Sequence, residues 1–436
     1  MKESGIDWIG QIPEEWEVTK FKYLGDVKQG LTYSPSDIVD KDEGILVLRS
    51  GNIQNGVLDF TNNVYVKTKV AESIVLRKND ILITARNGSP ALIGKNAIID
   101  TDIKATFGAF MMVFRTNKSL IAKFAFYLMN ISFNFYRTFF TTSTVNQLTA
   151  AIFNGIEVPL PSISEQQKIA DFLDKKTAQL DKVKSLLEEQ IQKLKDYRAS
   201  LIYETVTKGL DKTVPMKDSG IDWIGQVPQG WGVSKLKFIL EKGSNSIKVG
   251  PFGSSLSGDA IRSSGKWVYN QRNVLDNNFT ETDFYISEAK CKELKNFSVS
   301  SGDILLTTRG TIGRVAIVPK KYCEGIIHPC LMKFKVDSKI VLPELIKYLF
   351  NDIPLVREQL NFLSNSTTID VIYSYNLKNI IIPTIPIEEQ YSILEVLDRQ
   401  TSDVDSLIKI KQKQIENINK QRQTLIYDYV TGKRRV

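Results

Sequence analysis

EQQKIADFLDKKTAQLDKVKSLLEEQIQKLKDYRASLIYETVTK, Glu165 to Lys208, is one long amphipathic stretch, and it recurs near the end of the chain as Glu389 to Thr431. Leu201-Ile202-Tyr203 answers Leu425-Ile426-Tyr427 at an offset of 425 − 201 = 224, and Glu165-Gln166 answers Glu389-Gln390 at the same offset. The two copies therefore align without a gap. Apolar residues fall at Leu180, Leu187, Ile191, Leu194 and Leu201 in the first copy, and at Val404, Ile408, Ile415, Ile418 and Leu425 in the second. Steps of three and four residues form a coiled-coil seam. A helix of about 40 residues is roughly 60 Å long at 1.5 Å per residue, so it needs a partner along its length. Lys184 and Lys411 interrupt the seam, and Arg198 and Arg422 interrupt both copies at one heptad place. Two copies in one chain can pair antiparallel, their polar interruptions helping to set register. The alternative is that each helix docks on its own globular part.

The repeat extends beyond the helices. Lys2-Glu3-Ser4-Gly5-Ile6-Asp7-Trp8-Ile9-Gly10-Gln11-Ile12-Pro13 matches the segment from Lys217 to Pro228, and Trp16 matches Trp231. Two copies of one unit of a little over 200 residues make up the chain. The offset here is 217 − 2 = 215 rather than 224, which puts nine additional residues in the globular part of the second copy. The first long stretch runs through Gly209 into the second Trp segment, and the second ends at Val430-Thr431-Gly432. In a pseudo-two-fold arrangement the C-terminus should end near Met1.

At 436 residues the chain exceeds what one hydrophobic core usually supports. With 57 Lys and Arg against 49 Asp and Glu, the net charge is +8, which permits polyanion binding without demanding it. No apolar run approaches a membrane span, and Met1-Lys2-Glu3-Ser4 has no signal-peptide core, so the cytoplasm is expected. Cys291, Cys323 and Cys330 are an odd number confined to one half, which argues against a disulfide framework. Cys323, His328 and Cys330 lack a fourth ligand and zinc spacing. Val249-Gly250-Pro251-Phe252-Gly253-Ser254-Ser255 has no lysine in nucleotide-loop spacing and reads as a turn near a DNA backbone. Nothing assembles a catalytic constellation; the pattern is that of a binding protein.

Between the Trp segment and the helix the signal changes to short strands at 44–48, 80–84, 97–99 and 110–114, bounded by Gly and Asn turns. Leu120 to Phe140 reads as a buried helix whose aromatics Phe124, Tyr127, Phe135 and Phe139 belong to the core. The second unit repeats this with strands at 267–270 and 302–307 and a helix from Pro343 to Leu363. The fold class is mixed α/β (α+β). The copies agree in the helix and Trp segment. In the globular parts only spaced anchors survive: Asp80 with Asp303, Arg86 with Arg309, Gly94 with Gly313, Pro159 with Pro383. Shared parts imply shared contacts and divergent parts imply separate targets. The loop from Arg86 to Gly94 is four residues longer than its counterpart from Arg309 to Gly313, and both carry side chains that read phosphates and base edges. The bland alternative is a tight turn with a solvated arginine.

Asp7-Trp8-Ile9-Gly10-Gln11-Ile12-Pro13, the segment from Gly44 to Ile53, Val158-Pro159-Leu160-Pro161 leading into Glu165-Gln166-Gln167, and Leu201-Ile202-Tyr203-Glu204-Thr205-Val206-Thr207-Lys208-Gly209 together resemble the specificity subunit of type I restriction-modification systems. The resemblance covers nearly the whole chain, twice. It implies target recognition domains at 1–160 and 211–385, pseudo-two-fold related, and long conserved spacer helices at 161–210 and 386–436 that pack antiparallel. In that family each recognition domain reads one half of a split double-stranded DNA site, and the helices set the gap. The implied partners are two methyltransferase subunits, which bring S-adenosylmethionine, and two restriction endonuclease subunits, which use ATP and magnesium. The chain itself binds no cofactor or metal on this reading and is not catalytic. Residues expected to face DNA are Arg49, Asn52, Arg86, Asn87, Ser89 and Asn146 in the first unit, and Arg272, Asn273, Arg309, Thr311 and Asn365 in the second. Trp8, Trp16, Trp223, Trp231, Tyr203 and Tyr427 are assigned to subunit docking, against the alternative that the tryptophans anchor each domain to its helix base. Rival readings are a coiled-coil protein scaffold and a lone regulator of a split operator.

Overall fold

The structure, a computed structural model, describes residues 1–140, 146–222, 224–243, 246–252, 255–363 and 371–436, apart from the side chains at 138, 139 and 363. The chain forms two compact units, residues 1–188 with 412–436, and residues 189–411.

In the first unit the strand Ile81–Thr84 is buried at all four positions. Its alternation explains why. Ile81 and Ile83 join Met112, Phe114, Phe124 and Leu128 in one core, and Leu82 joins Leu48, Phe107 and Val113 in another. A strand covered on both faces is apolar throughout, each face serving a separate layer. The sheet around it has the strand order 96–98, 81–84, 111–116, 25–29, all antiparallel, with Ile83 opposite Met112 and Phe114 opposite Val27. A second sheet orders 105–107, 45–48, 65–66 and 38–39, its first pair parallel.

The second unit repeats the order of the central sheet with different residues, while its second sheet has three strands in place of four. Its central sheet runs 315–317, 304–307, 331–334, 247–249, and its second sheet joins 325–327 in parallel to 266–269 and then 285–286. Ile304 and Leu306 again face one core while Leu305 faces another. The surviving anchors hold this scaffold. Asp80, 1% exposed, accepts a bidentate pair from Arg115 at 2.8 and 2.7 Å and the Arg77 amide at 2.9 Å. Asp303, 2% exposed, accepts Lys333 at 2.9 Å and the Ser300 amide at 2.8 Å. Gly94 and Gly313, at φ +82° and +79°, close equivalent loops by donating to the Thr84 and Thr307 carbonyls, each at 2.9 Å. Pro159 and Pro383 sit in matching two-stranded ladders opposite Val18 and Val233.

The long helices span Ile163–Lys208 and Ile387–Val430. Every seam position named from the sequence, the basic interruptions included, is buried or half-buried. Within residues 189–411 the two helices meet through Arg198 with Asp405 at 3.2 Å and Lys411 with Gln190 at 2.6 Å, so they run antiparallel there. In the other unit Arg422 meets Asp181 at 3.5 Å, and the rings of Phe172 and Tyr429 lie 4.5 Å apart, again antiparallel. Arg198 and Arg422 thus pair with Asp405 and Asp181, themselves one repeat offset apart. The seam interruptions are register pins.

Each helix finishes in the other repeat's globular part. Ile202 and Val206 pack with Val227 and Trp231, while Ile426 and Val430 pack with Ile12 and Trp16. The chain ends meet as the repeat implies: Arg435 pairs with Glu15, Lys433 donates to the Gln11 carbonyl at 2.6 Å, and the Met1 ammonium lies 3.2 Å from Glu14.

Two sequence expectations change. The expected helix from Pro343 to Leu363 is two helices, Pro343–Asn351 and Pro354–Leu363, because a residue preceding proline is pushed out of the helical region. Phe124 and Tyr127 are core, but Phe135 is 49% exposed and stacks on Trp8 at 5.0 Å instead; Phe139 lies outside the described side chains.

Candidate nucleic-acid interface

The ends of the central strands present a groove in each unit. In residues 1–188 it is a cavity of about 670 Å³ lined by Tyr33, Arg49, Arg86, Asn87 and Phe110 among others. Arg86 follows the central strand, and its amide and that of Ala85 both donate to the Phe110 carbonyl at 3.0 Å. Its guanidinium lies over the Phe110 ring, 5.7 Å from the centroid. The loop beyond is self-braced: Asn87 Oδ1 accepts the Ser89 amide at 3.0 Å, and Asn146 Nδ2 donates to the Gly88 carbonyl at 3.2 Å. Arg49 reaches the Asn62 carbonyl at 3.3 Å with one nitrogen. Arg49, Arg86, Asn87, Ser89 and Asn146 are thus brought to one neighbourhood.

In residues 189–411 the equivalent groove, about 500 Å³, is lined by Lys248, Phe252, Phe297, Thr308, Arg309 and Tyr373 among others. Arg309 is exposed at its edge, and Thr311, two residues on, is exposed but not part of the lining. Burial, and then the Arg309 charge, holds the His328 imidazole below its ordinary value, so near neutral pH the positive charge here belongs to Arg309 and Lys248. Among the described residues no cluster of His, Cys, Asp and Glu could hold a metal, and no helix is long and apolar enough to cross a membrane.

Several expected contacts fall elsewhere. Asn52 and Asn273 are buried rather than presented on the surface: they are 1% and 3% exposed. Each accepts an amide three residues back, from Arg49 and Asn270, both at 2.9 Å, and donates to the following loop. A buried amide whose N–H groups are donated inward presents no edge to a base. Arg272 is exposed but sits in an acidic pocket, paired with Asp283 at 3.0 Å and Asp276 at 3.4 Å. Asn365 lies outside the described residues.

Trp16 and Trp231 are buried, at 0% and 2%, so neither is a docking surface. Their indole nitrogens donate to Glu165 and Glu389 at 3.0 and 2.7 Å. The neighbouring Gln166 and Gln390 accept the amides of Ile121 and Leu342 at 2.8 Å and donate to two carbonyls each. The repeated Glu-Gln pair therefore clamps the Trp segment and the preceding helix to the long helix, a role its charged, polar character in the sequence did not reveal. Trp8, Tyr203 and Tyr427 are half-buried, and the Tyr427 hydroxyl is engaged by the Trp8 carbonyl at 3.2 Å. Trp223 lies outside the described residues. The surfaces that remain open on the helices were missed: Val183 and Leu186 are 47% and 48% exposed, and Leu407 and Ile410 are 47% and 56% exposed. The two pairs stand one repeat offset apart, one in each unit. An apolar pair left in water at the same place twice has the marks of a contact surface.

Comparison with known proteins places this architecture. The family model described as Type I restriction modification DNA specificity domain matches residues 13–195 and again 228–420. The Type I restriction enzyme EcoKI specificity subunit of Escherichia coli K12 is 25% identical over 428 residues, covering 96% of this chain and 89% of that one. The putative type I restriction enzyme MjaX specificity subunit of Methanocaldococcus jannaschii is 28% identical over 444 residues, covering 98% and 96%. Among solved structures, a chain from work on complex assembly and conformational transition of the type I R-M system superposes with a TM-score of 0.71 at 16% identity, covering 97% of this chain and 99% of that one. The HsdS subunit from Thermoanaerobacter tengcongensis gives 0.50 at 16% identity, covering 99% and 100%.

Proposed function

This chain belongs to the type I restriction-modification DNA specificity family, and on that footing we propose that each unit reads one half of a split, asymmetric double-stranded DNA site through its strand-end groove. The observation that carries this reading is the pair of grooves: same position on the same scaffold, different linings. Tyr33, Arg49, Arg86 and Phe110 line one, and Lys248, Phe252, Arg309 and Tyr373 the other. Arginine hydrogen-bonds phosphate or the O6 and N7 of guanine, and polar loop side chains add base-edge contacts. Different linings call for different half-sites, and a helix of 46 residues, about 70 Å long at 1.5 Å per residue, would hold them at a fixed spacing. The repeated exposed pairs, Val183 with Leu186 and Leu407 with Ile410, would each seat one methyltransferase subunit, since identical partners need identical patches. That subunit would supply S-adenosylmethionine chemistry, and endonuclease subunits would supply ATP-driven cleavage. A protein scaffold needs no such arginine-bearing grooves.

Arg86→Ala and Arg309→Ala test the reading separately. Each should weaken methylation of its own half-site by roughly 1 to 3 kcal/mol at one base position, leaving the other half unchanged in a methylation map. Loss of discrimination in both halves from either substitution would contradict the division of labour, and a uniform loss across sequences would mark a phosphate contact instead.

A further inference from the structure

One side chain of the second groove is unlike the rest. Phe252 is 86% exposed, on the segment Gly250-Pro251-Phe252. A ring that large normally gains from burial, yet its backbone is held outward. A Cβ at Gly250 would run into the His328 carbonyl, an approach to the strand end that only glycine allows. The Gly250 amide donates to the Leu331 carbonyl at 2.9 Å, and Pro251 fixes the next φ. The first unit is built alike: Gly30 presses on the Gly108 carbonyl after the strand Gly25–Gln29, as Gly250 follows Ile247–Val249. Thr32 is the position that corresponds to Phe252, two residues past its own glycine, although Leu31 donates to the Phe107 carbonyl at 2.7 Å where Pro251 has no N–H to give.

We propose that Phe252 is a base-reading residue of the second groove, its ring packing on the C5-methyl group of a thymine in the major groove of duplex DNA beside Arg309. The proposal rests on the DNA-recognition reading and deepens it. A phosphate offers a phenyl ring nothing, whereas the thymine methyl is the one apolar feature of the major-groove edge. Val249, Pro251 and Pro329 make the surround apolar, and Arg309 and Lys248 supply the charge that draws the DNA backbone. Insertion of the ring between base steps, the habit of minor-groove proteins, is the competing outcome.

The test uses the complex of the full chain with its methyltransferase subunit and duplexes carrying the mapped site, each thymine of the second half-site replaced singly by uracil, which removes only the methyl. One uracil should weaken wild-type binding about fourfold, the worth of one buried methyl group. Phe252→Ala should weaken binding to the intact site about tenfold and be indifferent to that same uracil. Phe252→Leu should keep the sensitivity, which separates lost contact from lost folding. A half-site without thymine, or losses from Phe252→Ala and every uracil that simply add, would overturn the proposal. So would a Phe252→Ala loss with no uracil effect in the wild type, the result of a wedge. A wild-type complex that binds all duplexes alike would overturn the DNA-recognition reading itself, and is distinguishable because no site is then found.

Discussion

Asp80→Ala should destabilise the protein by about 3 to 5 kcal/mol, the range for stripping one partner from a buried ion pair. Asp80 is almost fully buried and takes both Arg115 nitrogens and the Arg77 amide. Removal leaves a guanidinium that is only 20% exposed beside an empty acceptor site. Calorimetry should register a fall in Tm on the order of 10 °C in the transition of that unit. Asp80→Asn, which keeps an oxygen for the Arg77 amide but loses the charge, should fall between. A loss below about 1 kcal/mol for Asp80→Ala would show that the pair merely breaks even with solvent. The second unit offers an internal comparison, because Asp303 takes its cation from Lys333 on another strand position and has Lys335 3.7 Å away. With two lysines near one carboxylate, Lys333→Ala should cost less than Arg115→Ala.

The joint substitution Val183→Ser and Leu186→Ser should abolish retention of one methyltransferase subunit while leaving the fold intact. Both side chains face solvent in the free chain, so their loss costs stability little, within about 0.5 kcal/mol for each exposed site. Burying a Val or Leu side chain in an interface is worth about 1.5 to 3 kcal/mol, roughly a 10- to 150-fold loss in affinity for each one removed. Co-purification should therefore yield one methyltransferase copy per chain instead of two. Adding Leu407→Ser and Ile410→Ser should leave none. Two copies retained by the fourfold variant would show that these helix residues do not seat the methyltransferase subunits.

The helices were legible because a period and an offset are properties of the sequence. Their seam needs no tertiary knowledge beyond the heptad rule, and Arg198 and Arg422 announced their register role by breaking that rule at one place. The strands were legible as short apolar runs bounded by Gly and Asn turns, Ile81 to Thr84 among them; that both faces of that strand are covered came only with the fold. Site residues were less so. Asn52 and Asn273 share a residue type with base readers, but the demand they meet is local, the unsatisfied amides of a tight turn. Arg272 is a cation whose neutralising partners, Asp276 and Asp283, become neighbours only through the fold of its loop. Trp16 and Trp231 illustrate the converse: repetition marked them as shared, and sharing can mean a shared internal clamp as readily as a shared partner. The exposed pairs at Val183 and Leu407 could be found only once burial had accounted for the seam and left them over.

Adenine methylation, mapped by single-molecule sequencing in cells expressing this chain with and without a methyltransferase subunit, tests the reading of two unlike half-sites most directly. One split motif of two unlike halves at a fixed gap, present only when both proteins are expressed, is the predicted result. No motif in cells where the assembled complex is demonstrated, or a motif indifferent to this chain, would contradict it.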